Sequence, residues 1–67
     1  MPKITMKAAR VSAGLTQEEI AEKMGVSRDW VLKIENGVTK AKPVYLLAWC
    51  QITGFRPEDI ILPENIA

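Results

Sequence analysis

The sequence predicts an all-α fold, a compact bundle of five short helices, within one domain covering residues 1–67. Three observations support this fold class. Apolar residues recur at helical spacing, as in Ile20, Ala21 and Met24. No segment shows the sustained alternation or the hairpin turn that is typical of strands. Glycines and prolines divide the chain into segments of helical length.

Local signals set the bounds of the predicted helices. Thr5 can cap the first helix, and Gly14 can end it in a left-handed conformation. Pro43 and Pro57 suit the first position of the last two helices, because proline lacks the amide hydrogen that a helix start leaves unused. The five predicted segments are about 5–13, 17–24, 28–36, 43–53 and 57–62.

The second and third helices lie close together, in the stretch from Thr16 to Gly37. Thr16 and Glu19 have the spacing of a capping box, which marks a helix start. Gly25 ends that helix and permits a sharp turn, and Ser27 caps the next helix. Two short helices joined by a tight turn form a helix-turn-helix, which places its second helix in the major groove of DNA.

The charges are unevenly distributed, although the net charge is only +1. The segment 1–42 contains eight lysines and arginines against five acids, whereas the segment 43–67 contains one against three. The first part of the chain can therefore face phosphates while the second part faces away. An ordinary mixed surface explains the same charges, so charge alone does not decide between the two.

Several function classes lack their characteristic residues. Histidine is absent and Cys50 is the single cysteine, so the sequence predicts neither a zinc site nor an intramolecular disulfide. No nucleophile is paired with a base and no glycine-rich loop can hold a phosphate, so we expect no enzyme, no cofactor and no small-molecule ligand. No apolar run reaches the ~20 residues of a membrane span, so we expect no membrane association and a cytoplasmic protein.

Many residue types at fixed offsets resemble the lambda-repressor-like helix-turn-helix family, also called the Cro-type or XRE family. The resemblance covers roughly residues 6–62 and implies five helices, sequence-specific binding of double-stranded DNA, and two-fold dimers of bacterial or phage regulators. The sequence departs from the family after Gly37, where Lys42-Pro43-Val44 replaces the usual Asn-Pro-Ser. The matching residues are Arg10, Gly14-Leu15-Thr16-Gln17, Ile20-Ala21, Met24-Gly25-Val26-Ser27, Val31, Ile34 and Glu35-Asn36-Gly37.

The predicted base-reading residues are Arg28, Asp29 and Lys33, on the outward face of the recognition helix 28–36. Arg28 can donate two hydrogen bonds to guanine, and Lys33 can reach guanine or a phosphate. Three roles are open for Asp29: it accepts a hydrogen bond from cytosine, it orients Arg28, or it only caps the helix. Leu32 lies either over the groove or against the fourth helix. A solvated helix face is the alternative for all of them.

A second group is predicted to contact the DNA phosphates. In the family, the residue matching Gln17 contacts a phosphate and supports the base-reading side chains. Trp30 either packs over the second helix or places its ring and indole N–H against the DNA backbone. The predicted phosphate-contacting residues are Gln17, Ser27, Trp30, Asn36, Lys40 and Lys42.

Arg10 and Glu35 are predicted to form a buried or half-buried ion pair, as in family relatives. The pair would tie the first helix to the end of the recognition helix. Its role would then be geometric, because a buried ion pair does not by itself raise net stability.

Two hypotheses about function follow. In the first, the chain is a small Cro-type transcriptional regulator that binds a pseudo-palindromic operator as a homodimer, paired through its C-terminal apolar helices. In the second, the same fold is a protein-interaction module, such as an antitoxin or an adaptor, whose fourth helix and Trp30 bind a partner. The apolar residues of the C-terminal part are predicted to form core and not a ligand site, and a surplus of them would make a dimer surface. They are Tyr45, Trp49, Phe55, Ile60 and Leu62.

Overall fold

The computed structural model describes residues 3–62, which form four α-helices, one 3-10 turn and a two-stranded sheet. The first four predicted helices are confirmed, with ends that differ by at most one residue. No described helix is long and apolar enough to cross a membrane. The elements in chain order are β1 (Ile4–Thr5), α1 (Met6–Ser12), α2 (Gln17–Met24), α3 (Arg28–Glu35), α4 (Pro43–Thr53), the 3-10 turn (Pro57–Asp59) and β2 (Ile60–Ile61).

The predicted fifth helix, 57–62, is wrong, and so is the prediction that the chain has no strand. A helix starts at Pro57 as expected, but it ends after a single 3-10 turn. Ile60 and Ile61 then adopt extended backbone and pair in parallel with Ile4 and Thr5. The β-branched side chains of the two isoleucines suit this pairing better than a helix.

The helix-turn-helix is built by the local signals that the sequence contains. The Thr16 hydroxyl accepts the Glu19 N–H at 3.0 Å, and the Glu19 carboxylate accepts the Thr16 N–H at 2.9 Å, so the predicted capping box is confirmed. Gly25 ends α2 at a φ of 72°, a left-handed conformation that favours glycine. The Ser27 hydroxyl accepts the Trp30 N–H at 3.0 Å and starts α3.

The core lies between the four helices and is organised around Trp49. This side chain is fully buried, and its indole N–H donates to the Met6 carbonyl oxygen at 3.0 Å. The hydrogen bond satisfies the polar atom of the tryptophan and fixes α4 against the start of α1. The other buried apolar side chains are Met6, Ala9, Ile20, Ala21, Val31, Ile34, Cys50 and Ile60.

The capping box predicts a pH dependence of stability. The hydrogen bonds from Thr16 lower the pKa of Glu19 below its ordinary value, the backbone N–H contributing most. A lowered folded-state pKa means that the carboxylate stabilises the fold above the ordinary glutamate pKa of about 4.3. This stabilisation is lost as the pH falls through the folded-state pKa.

Glu19→Gln is therefore expected to be less stable than the wild type at pH 7, with a difference that shrinks toward zero well below pH 4. The amide oxygen of glutamine still accepts from Thr16 but does not ionise. Urea unfolding over a pH series measures the difference. Glu22→Gln, on the same helix, controls for the change in charge, and a difference for Glu19→Gln that is constant from pH 7 to pH 2 would contradict the prediction.

Candidate nucleic-acid interface

One face of α3 is exposed and mostly polar. Val31 and Ile34 point into the core, which leaves the opposite side of the helix in solvent. The exposed residues recur one helical turn apart and form a continuous stripe. We call it the reading stripe; it consists of Arg28, Asp29, Leu32, Lys33 and Asn36.

Both cations of the reading stripe are paired with an acid. Arg28 Nε lies 3.4 Å from Glu18 Oε1 of α2, and Lys33 Nζ lies 3.0 Å from Asp29 Oδ2 on the same helix. Exposed ion pairs of this kind contribute about 0–1 kcal/mol to stability. A phosphate or a base can therefore replace the acid as the partner of the cation at little cost in free energy. The Asp29 carboxylate therefore pairs with Lys33 and not with Arg28.

Glu18 is the residue of this face that sequence reasoning missed. It lies ten positions before Arg28 and on another helix, so no local spacing indicates that the two meet. The crossing of α2 and α3 brings their charged ends together. Only the geometry of the turn at Gly25 could have revealed the pair.

A buried network joins Arg10, Gln17 and Glu35. Arg10 Nε lies 2.6 Å from Glu35 Oε2, and Arg10 Nη2 donates to Glu35 Oε1 at 3.2 Å. Arg10 also donates to the Leu15 carbonyl oxygen at 2.8 Å. The side chains of Arg10 and Glu35 are only 9% and 1% exposed. One guanidinium therefore connects α1, the loop before α2, and the end of α3.

Gln17 joins this network at the start of α2. Its amide nitrogen donates to Glu35 Oε1 at 3.1 Å, which holds the side chain in one orientation. A glutamine amide has two N–H groups, so one remains for another acceptor. Gln17 is half-buried and therefore has access to solvent. This arrangement supports a phosphate contact, which stays a prediction.

Trp30 packs on α4. Its ring centroid lies 5.0 Å from that of Tyr45, with an angle of 57° between the ring planes. The side chain is half-buried and contacts the edge of the core. Tyr45 is a packing partner that the sequence interpretation did not name, because the two residues are separated by a loop. A contact between Trp30 and the DNA backbone stays a prediction.

The remaining predicted phosphate contacts are all exposed. The Ser27 hydroxyl accepts from the Trp30 N–H, and its own hydrogen is available for a phosphate oxygen. Asn36 follows directly after α3, and Lys40 and Lys42 lie in the loop before α4. Asn36 is the last residue of the reading stripe, and the other three side chains flank the stripe at the two ends of α3.

The fourth helix has one buried and one exposed side, although its sequence is apolar almost all round. Trp49 and Cys50 face the core, and burial raises the pKa of the Cys50 thiol, as is typical of an unreactive structural cysteine. Val44 and Leu47 face solvent and are 66% and 51% exposed. Leu47 also lines a shallow groove with Phe55. This apolar side of α4 is a candidate surface for another chain.

A capped α2, a left-handed glycine turn and an α3 with a polar exposed stripe define the helix-turn-helix class of protein. Comparisons with known proteins agree: the chain belongs to the helix-turn-helix domain family, whose model matches residues 4–60. The chain is 39% identical over 62 residues to a protein of Methanocaldococcus jannaschii that is named an uncharacterized HTH-type transcriptional regulator. The match covers 90% of this chain and 91% of that relative. No solved structure matches the chain.

Proposed function

We propose that this chain is a Cro-type transcriptional regulator that binds double-stranded DNA sequence-specifically, with α3 in the major groove. The reading stripe is the observation that carries the proposal. It presents Arg28 and Lys33 from a helix whose far end is fixed by the buried pair of Arg10 and Glu35. The name of the Methanocaldococcus jannaschii relative supports a regulatory role.

Within this proposal the side chains have two tasks. Arg28, Lys33 and Asp29 read base edges, because hydrogen bonds in the major groove distinguish all four base pairs. A second group of side chains holds the phosphates and thereby sets the register of α3. This group consists of Gln17, Ser27, Trp30, Asn36, Lys40 and Lys42.

We further propose that two copies bind together through the exposed apolar side of α4. One α3 offers few base contacts, and a two-fold dimer doubles them by placing the recognition helices about 34 Å apart, in successive major grooves. Val44 and Leu47 supply apolar surface for this contact. The operator is then pseudo-palindromic, and the dimer acts on DNA in the cytoplasm.

A selection from a random duplex pool, followed by a salt titration, tests the proposal. We expect a symmetric consensus and an affinity that falls steeply with salt, because each neutralised phosphate adds about −0.9 to the slope of log affinity against log salt. The variant K40A/K42A should reduce this slope equally for selected and unrelated duplexes. Sedimentation with and without the selected duplex measures whether the protein is a monomer or a dimer.

The control for lost positive charge is K23A/R56A, which removes two cations outside the reading stripe and the loop before α4. It should keep the wild-type slope. If no duplex is enriched, or if the affinity does not respond to salt, the proposed function is wrong.

A protein-interaction module, such as an antitoxin or an adaptor, is the second candidate. The exposure of Val44 and Leu47 favours it, because these side chains suit a different protein as well as a second copy. A chain that stays monomeric and binds no duplex would support this alternative.

A further inference from the structure

Leu32 is the apolar member of the reading stripe and lies at its centre. One helical turn separates it from Arg28 on one side and from Asn36 on the other. Its side chain is 40% exposed and is not among the half-buried apolar side chains that pack against the core. Of the two positions that the sequence leaves open for Leu32, the structure shows the outward one.

The surroundings of Leu32 restrict what it can contact. Its neighbours on the stripe are Arg28, Asp29, Lys33 and Asn36, all of which are hydrogen-bonding groups. Docking an apolar protein surface here would strip water from these groups without replacing it, which is unfavourable. A groove that combines hydrogen-bonding groups with an apolar spot is a better complement.

The major groove of DNA has this combination. Base edges and phosphates offer acceptors and donors, and the 5-methyl group of thymine is the apolar group of the groove. We propose that Leu32 contacts a thymine methyl group and selects a T·A pair in each half-site. This inference rests on the proposed function and adds a specificity-determining residue to it.

The helix geometry also limits where the thymine lies. Arg28 and Leu32 are four residues apart, which is about 6 Å along α3 at about 1.5 Å per residue. Base pairs stack at about 3.4 Å. The thymine is therefore one or two base pairs from the base that Arg28 reads.

Replacing thymine by deoxyuridine tests the contact, because it removes the methyl group and leaves every hydrogen-bonding atom in place. Each thymine of the selected duplex is replaced in turn, and affinity is measured by fluorescence anisotropy at fixed salt. We expect one position per half-site to weaken wild-type binding about fourfold, as for the loss of one buried methyl group. The variant Leu32→Ala should bind the thymine and deoxyuridine duplexes equally.

The control is Val11→Ala, which shortens an exposed apolar side chain on α1, away from the stripe. It should keep the fourfold preference for thymine. Binding that tolerates deoxyuridine at every position, or a preference that persists in Leu32→Ala, overturns the inference and leaves the proposed function standing. Failure of the wild type to enrich any duplex overturns both.

Discussion

The variant R28A/K33A is expected to lose most of the sequence preference of the protein. A good bidentate contact with a base is worth about 1–3 kcal/mol of discrimination, and a dimer makes each contact twice. Losing the Arg28 contact alone should therefore cost about 2–6 kcal/mol for the selected duplex, at least about thirtyfold in affinity. An unrelated duplex should lose less, because it is bound through the phosphates.

This result is interpretable because both side chains are exposed. Arg28 and Lys33 make only surface ion pairs, with Glu18 and Asp29, so their loss should leave the fold nearly unchanged. Fluorescence anisotropy against selected and unrelated duplexes measures the effect. K23A/R56A, with the same change in charge, should preserve the preference. An equal loss on both duplexes would show that the two cations contact phosphates instead of bases.

Removing one partner of the buried ion pair is expected to destabilise the whole domain. Arg10→Ala leaves the Glu35 carboxylate buried without its charge partner, and Glu35→Ala does the same to the guanidinium. Breaking a buried pair in this way costs about 3–5 kcal/mol. A domain of this size has roughly 3–10 kcal/mol of total stability at 0.05–0.15 kcal/mol per residue, so either variant removes a large part of it.

The apolar double variant R10M/E35L separates the ion pair from simple packing. It leaves no buried charge, so it should recover most of the stability that each single change removes. Urea unfolding followed by circular dichroism gives the free energies of unfolding of the wild type, the two single variants and the double variant. Single changes that cost less than about 1 kcal/mol, as in exposed pairs, would contradict the prediction.

The same double variant also tests how the network serves DNA binding. Without Glu35, the amide of Gln17 loses the acceptor that orients it. We therefore expect R10M/E35L to fold yet to bind the selected duplex more weakly than the wild type. Stability and affinity would then depend on different parts of the same network.

The first four helices were predictable because their signals are local. The capping box of Thr16 and Glu19, the Ser27 cap and the left-handed Gly25 each act within one turn of the helix end that they set. The error at 57–62 has the opposite cause. Pro57 starts a helix locally, but the backbone partner that draws Ile60 into a strand is Ile4, which lies 56 positions earlier in the chain.

In the candidate site, too, some features follow from the local sequence and others depend on how the helices pack. The position of Arg28 and Lys33 on one exposed face follows from helical periodicity alone. Their partners differ: Asp29 lies four residues before Lys33 and is visible in the sequence, whereas Glu18 meets Arg28 only through the crossing of two helices. The tilted contact between the Trp30 and Tyr45 rings likewise depends on how α3 and α4 pack.

The parallel pairing of β1 and β2 has a consequence for synthesis on the ribosome. The helix-turn-helix is synthesised before Ile60 and Ile61, yet its scaffold is incomplete without the last strand and the buried Ile60. A nascent or prematurely terminated chain therefore carries the recognition helix without the closure between its first and last elements. Under the proposed function, operator binding therefore requires that synthesis has continued through Ile61.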